Sequence, residues 1–117
     1  MKQTFKYIQS DYYRYTGKKL TPFKLCIKAI FGVNHCFRYS FWLRLSKSKG
    51  GVGLLARQLH KHYSIKYGIQ IPASTKIGYG FYIGHGVGIV INGKTTIGNN
   101  VNISQFLSIG TVHRTPA

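Results

Sequence analysis

The residue best suited to chemistry is His85, which stands between two glycines in Tyr82-Ile83-Gly84-His85-Gly86-Val87-Gly88. Imidazole is the side chain that exchanges a proton near neutral pH. Small neighbours leave a substrate room to approach it, so His85 is a candidate general base. The bland alternative is a solvent-facing turn histidine. Carboxylate chemistry has little material, because Asp11 is the only acid among 117 residues. The histidines and the two cysteines, Cys26 and Cys36, show no metal-ligand spacing. The cysteines sit in apolar helical surroundings and read as buried free thiols. The glycines at 78, 80, 84, 86 and 88 do not form a dinucleotide fingerprint, since no strand-then-helix unit with an acid follows.

The element that must hold His85 is a repeat. Isoleucine returns every six residues at 71, 77 and 83, then at 91, 97, 103 and 109. The step from Ile83 to Ile91 is eight, so two residues are inserted just where His85 lies. A six-residue period fits neither strand alternation nor a helix face, and marks a hexapeptide β-helix in which each hexapeptide makes one flat face. The isoleucines point inward. Thr75, Phe81, Val87, Thr95, Val101 and Leu107, four residues after each, are expected to form a second inward row. Gly, Asn and Ser between them supply the turns, and Asn102-Ile103-Ser104 reads as such a turn rather than as a glycosylation sequon. From residue 71 to 114 the repeat amounts to about two and a third coils.

Residues 1–68 are a different object, and the division is drawn as 1–68 basic helical region and 69–117 β-helix. Fourteen of the 17 Lys and Arg residues precede Gly68, and the net charge is +16. Four short helices are expected. The first carries Phe5, Ile8, Tyr12 and Tyr15 and stops at Gly17. The second opens at Thr21-Pro22 with a stripe of Phe23, Cys26, Ile27 and Ile30. The third is capped by Asn34, carries Phe37, Phe41, Trp42 and Leu45, and ends near Gly50-Gly51. The fourth runs from about Val52 to Tyr67 with Leu55, Leu59 and Tyr63 inward and Arg57, His60 and Lys61 outward. The positive charge suits anionic partners and most simply covers solvated helix faces. With Phe, Tyr and Trp interleaved it also suits an anionic membrane surface. No nucleic-acid recognition module is present, so RNA or DNA is the weaker partner. The start lacks the apolar core of a signal peptide, and no stretch approaches the roughly 20 apolar residues of a membrane span. The expected location is the cytoplasm, with contact at the inner face of the membrane.

Three segments carry a resemblance: Ile69-Gln70-Ile71-Pro72 through Lys76-Ile77-Gly78, Ile83-Gly84-His85-Gly86-Val87-Gly88-Ile89-Val90-Ile91, and Asn102-Ile103-Ser104-Gln105 through Ile109-Gly110. They resemble the serine acetyltransferase family, left-handed β-helix hexapeptide acyltransferases, over about residues 67–111. The motif around His85 with its insertion is specific. The bare hexapeptide repeat is not, for it serves several acyltransferases and some non-enzymes. The fold class so implied is α+β, short helices followed by a left-handed parallel β-helix.

The resemblance implies acetyl transfer from acetyl-CoA to a hydroxyl, that of serine at the first step of cysteine synthesis, with no metal and with His85 as the base. The family holds that histidine with an aspartate about fifteen residues earlier, where this chain has Gln70. A glutamine carbonyl can fix the tautomer but brings no charge to an imidazolium, and a neutral partner in such a relay can cost orders of magnitude. The family also places a histidine and an arginine at the substrate carboxylate. His113-Arg114 stand near the corresponding place in reversed order, and an arginine there would suit a carboxylate or an acidic sugar. The family assembles as a homotrimer or a dimer of trimers and binds acetyl-CoA along later coils, between subunits. Against that pattern this chain reads as truncated, with the histidine but without a complete acetyl-CoA site. Two other readings stay open: a surface or capsular polysaccharide O-acetyltransferase, and a non-catalytic trimeric scaffold whose basic helices bind an anionic membrane or polymer.

Overall fold

The computed structural model describes residues 1–110. Four helices come first: α1 (Lys2–Thr16), α2 (Pro22–Phe31), α3 (His35–Leu45) and α4 (Gly50–Tyr67). Their ends follow local chemistry. The Thr21 hydroxyl accepts from the Lys24 amide with Pro22 in the first turn, and the Asn34 side chain accepts from the amides of Cys36 and Phe37. Gly17 and Gly68 close α1 and α4 in the left-handed conformation, at φ 73° and 68°.

The helix at the centre is α3. Nine of its eleven residues are buried, so it has no solvent face to show as a sequence pattern. One side, with Phe37, Phe41, Trp42 and Leu45, packs with Ile8 and Tyr12 of α1, Leu25 and Ala29 of α2 and Ala56 of α4. The other, with Cys36, Tyr39 and Leu43, packs on the isoleucines of the β-helix.

Three packing faces differ from expectation. In α2 the buried residues are Leu25 and Ala29, while Phe23, Ile27 and Ile30 face out. In α4 Leu55 is exposed, and Gly53 and Ala56 make the contact with half-buried Leu59 and Tyr63 beside them. His60 is half-buried rather than outward, bonded to the Tyr39 hydroxyl at 2.8 Å. In α2 and α4 small residues let the helix axes approach, and close approach excludes the bulkier stripe beside them. The third helix also ends at Leu45, before the glycine pair that instead opens α4.

Seven short strands follow: β1 (Ile69–Gln70), β2 (Lys76–Ile77), β3 (Tyr82–Ile83), β4 (Ile89–Ile91), β5 (Thr96–Ile97), β6 (Asn102–Ile103) and β7 (Ser108–Ile109). They stack as three parallel faces, β1-β4-β7, β2-β5 and β3-β6, which is a β-helix of two coils and the first face of a third. Partners on successive coils are 20 residues apart between the first and second, as Ile69 with Ile89 and Ile83 with Ile103. They are 18 apart between the second and third, as Ile91 with Ile109. Three hexapeptides therefore make a coil, and the two extra residues belong to the turn after β3. That turn breaks the second inward row. Val87 is exposed, and Ile89, not Val87, is fully buried at the coil's next corner.

The two halves are joined by the lone acid. Asp11 of α1 and Arg44 of α3 form a buried two-pronged ion pair, Nε to Oδ2 at 2.8 Å and Nη2 to Oδ1 at 2.9 Å. The Phe81 amide and the Ser40 hydroxyl donate to the same carboxylate. Arg44 gives two further donors to the carbonyls of Ile77 and Gly78, at 2.8 and 2.6 Å. Both carboxylate oxygens and four of the five Arg44 N–H donors are thus engaged, which offsets the cost of burying the two charges. No helix among the described residues is long and apolar enough to cross a membrane.

Candidate functional site

The histidine sits on the inserted turn, residues 84–88, between β3 and β4. Each end of the turn is tied. The Gly84 amide donates to the Ile103 carbonyl at 2.8 Å, the Ile89 amide to the Gly68 carbonyl at 3.1 Å, and the Phe106 amide to the Val87 carbonyl at 3.1 Å. The Val87 amide closes on the His85 carbonyl at 3.1 Å, a tight reversal at the histidine itself. Gly86 faces inward. A Cβ there would lie 2.8 Å from Ile69 Cδ1 and 3.0 Å from Cys36 Sγ, so only glycine lets the turn lie this low. His85 consequently points out, exposed, on a turn whose backbone is fixed on both sides. Among the described residues its imidazole has no hydrogen-bond partner.

Gln70 is exposed on β1, beside Val90 of β4. Its side chain makes no hydrogen bond to His85. It lines a shallow groove of about 470 Å³ between α4 and the first coil, with Arg57, His60, Lys61 and Ser64, and His85 is not part of that groove. His113 and Arg114 lie outside the described residues.

Several neighbours of the turn were invisible to spacing. Cys36 and His35 open α3 directly beneath Gly86, with Cys36 Sγ 3.6 Å from His35 Nε2. Burial pushes the Cys36 thiol above its ordinary range, though a backbone hydrogen bond at Gly86 opposes this, and that direction suits a packing group better than a nucleophile. Tyr15 holds the strand leading into the turn: its hydroxyl accepts from the Ile83 amide at 2.9 Å and reaches the Ile83 carbonyl at 3.3 Å. Burial raises that hydroxyl far out of any physiological range, so it acts as a fixed dipole. Nothing in the sequence marks these contacts except that Tyr15 and Cys36 fall on apolar helix faces.

A second concavity, about 700 Å³, lies between α1 and the β-helix and is lined by Lys6, Arg14, Lys19, Tyr13, Tyr79 and Asn100 among others. Arg14 is anchored to the Gly80 carbonyl at 2.9 Å and the Asn102 side chain at 2.5 Å. Three cations and no acid face this groove, which makes it receptive to anions. Among the described residues no group of three His, Cys, Asp or Glu side chains could hold a metal ion.

A hexapeptide β-helix behind a small helical body, with an exposed histidine on an inserted turn, is the class that fold and site define. No protein-family model matches the chain. In sequence the chain is similar to serine acetyltransferases. It is 39% identical over 56 residues to that of Bacillus licheniformis, 48% of this chain and 26% of the relative. It is likewise 39% identical over 56 residues to that of Helicobacter pylori, 33% of the relative's length. In structure it matches serine acetyltransferase 1 of Entamoeba histolytica, solved in complex with L-cysteine, at a TM-score of 0.69 and 23% identity, over 96% of this chain and 42% of that one. The soybean serine acetyltransferase complexed with serine matches at 0.53 and 20% identity, over 94% of this chain and 44% of that one. The chain thus spans less than half the length of the proteins it matches, and it has their fold over that span.

Proposed function

We propose that the chain is part of an acetyl-CoA-dependent O-acetyltransferase of serine acetyltransferase type, with left-handed coils and His85 as general base. The observation that carries this reading is the inserted turn. It is the one break in an otherwise regular repeat, and it lifts a single titratable side chain off the surface between glycines. In the step proposed, His85 takes the proton of an acceptor hydroxyl as the oxygen attacks the thioester carbonyl. The tetrahedral species then expels the thiolate of CoA, which takes the proton back from the imidazolium. With Gln70 apart from the ring and Asp11 committed to Arg44, no carboxylate of the described residues stabilises that imidazolium. A slower base is the expected consequence.

Serine is the acceptor in the first reading, and an assembly of three subunits completing one another's acetyl-CoA sites goes with it. The groove lined by Lys6, Arg14 and Lys19 favours a second reading, an acidic sugar of a surface polysaccharide. Acetyl transfer assayed with L-serine and with uronate-containing oligosaccharides separates the two. In the protein carrying this chain, His85→Ala should lower kcat at least ~100-fold with either acceptor, the scale of a lost general base. An undiminished rate would mean that the base lies elsewhere.

A further inference from the structure

The α2 helix buries Leu25 and Ala29 against the body and turns its larger apolar residues to solvent. Phe23 is 74% exposed, Phe31 79% and Val33, just past the helix end, 98%. Ile27 and Ile30 are exposed between them. At 100° per residue Phe23, Ile27, Ile30 and Phe31 fall within one arc of about 100°, and the helix is about 15 Å long. Lys24 and Lys28 continue the same surface along one edge of that arc, and Lys18 and Lys19 lie just before the helix, all four exposed. No acid answers them, for the one acid of the chain is buried under Arg44.

We infer that the outer face of α2 is a docking surface for an anionic lipid bilayer, with Phe23, Ile27, Ile30 and Phe31 entering the interfacial layer and Lys24 and Lys28 held at the headgroups. Charge complementarity decides the occupant. An apolar arc with a wholly basic flank is the pattern of a helix lying in a membrane interface, and the anionic leaflet attracts each exposed lysine within a Debye length. The body holds α2 flat by its buried side, so the helix is presented lengthwise and needs no refolding to dock. This inference does not rest on the acetyl-transfer reading.

The test measures co-sedimentation of the purified protein with phosphatidylcholine vesicles, and with the same vesicles containing about a third phosphatidylglycerol. Binding should be at least ~10-fold tighter to the anionic vesicles and should weaken steeply as salt rises from about 0.1 to about 0.5 M. Phe23→Ser with Phe31→Ser keeps the full positive charge, and should cut that binding at least ~10-fold. Leu54→Ser, which removes an exposed apolar residue of α4, should leave it unchanged. Circular dichroism and melting should match the unsubstituted protein, because the altered side chains are solvent-exposed. Lys24→Gln with Lys28→Gln, which leaves the apolar arc intact, should flatten the salt dependence. Undiminished binding by the double serine variant would assign the attraction to diffuse charge and overturn the inference. Equal binding to both vesicle types would also overturn it. So would an absence of vesicle binding together with self-association that the serine variant abolishes, since a second copy would then cover the face.

Discussion

At the scale of single residues, Asp11 and Arg44 outweigh their number. Two charges taken out of water are tolerated only when their hydrogen-bonding capacity is met, and here four donors reach one carboxylate. Burial still pushes the Asp11 carboxyl above its ordinary value, while the Arg44 guanidinium, the Phe81 amide and Ser40 pull it back. Arg44 also stacks over the Tyr7 ring, 4.7 Å from its centroid, and reaches into the turn after β2. Replacing one partner strands the other. Asp11→Asn should therefore cost about 3–5 kcal/mol, a large share of a small domain's stability. Urea denaturation should show the midpoint fall at unchanged slope. The double variant Asp11→Asn/Arg44→Met should lose less than the sum of the single changes, because it leaves no lone charge. A loss under about 1 kcal/mol for Asp11→Asn, the scale of an exposed pair, would show the clasp to be solvated.

At the scale of elements, the β-helix was legible and the helix packing was not. A six-residue period places isoleucine seven times in phase, six of them buried, so its phase, its coil count and the two-residue insertion can be read directly. The buried Ile77, Ile83, Ile91, Ile97 and Ile103 fall on it. A helix such as α2 offers two apolar stripes. Sequence favours the bulkier one, whereas packing against α1 and α3 selects the one with Ala29, which allows close approach. Likewise a Cβ at Gly53 would lie 1.9 Å from the Ser48 carbonyl oxygen, a constraint set by chain geometry and not by hydrophobicity. His85 stands out in the sequence because it lies where the repeat is interrupted. Cys36 and His35 beneath it were missed because helix-to-coil contacts leave no periodic trace. The turn's seat on Cys36 can be probed by contrast. Gly86→Ala must displace Ile69 or the turn and should cost about 1–3 kcal/mol, while Gly84→Ala, whose Cβ meets nothing closer than 3.6 Å, should be nearly neutral. Adding Ile69→Val to Gly86→Ala removes the nearest atom and should restore part of the melting temperature. If the two alanine variants melt alike, the turn is not seated as described.

At the scale of the whole molecule, one hydrogen-bonded chain crosses three elements. The Ile71 amide, at the end of β1, donates to the Tyr39 hydroxyl at 3.1 Å, and that hydroxyl meets His60 Nε2 of α4 at 2.8 Å. The same hydroxyl also lies 3.2 Å from Ser64 Oγ, and its proton can go to an unprotonated His60 nitrogen. Burial lowers the His60 pKa from its ordinary 6.5, and the positive charge of Lys47 acts in the same direction, while the backbone at Ile71 opposes them. The folded state therefore keeps His60 neutral where the unfolded chain already binds a proton. As pH falls below about 6.5, protonation of the unfolded state draws the equilibrium toward it, so stability is lost on acidification. The loss is complete once pH has passed below the folded value, and above neutrality the histidine contributes no slope. His60→Gln keeps an acceptor for Tyr39 and removes the titration. Between about pH 8 and about pH 5 the melting temperature of the unsubstituted protein should fall further than that of the variant. Comparing the two cancels the titration of Asp11, which they share. Parallel curves would place His60 in contact with solvent and would break the link between α3, α4 and the first coil.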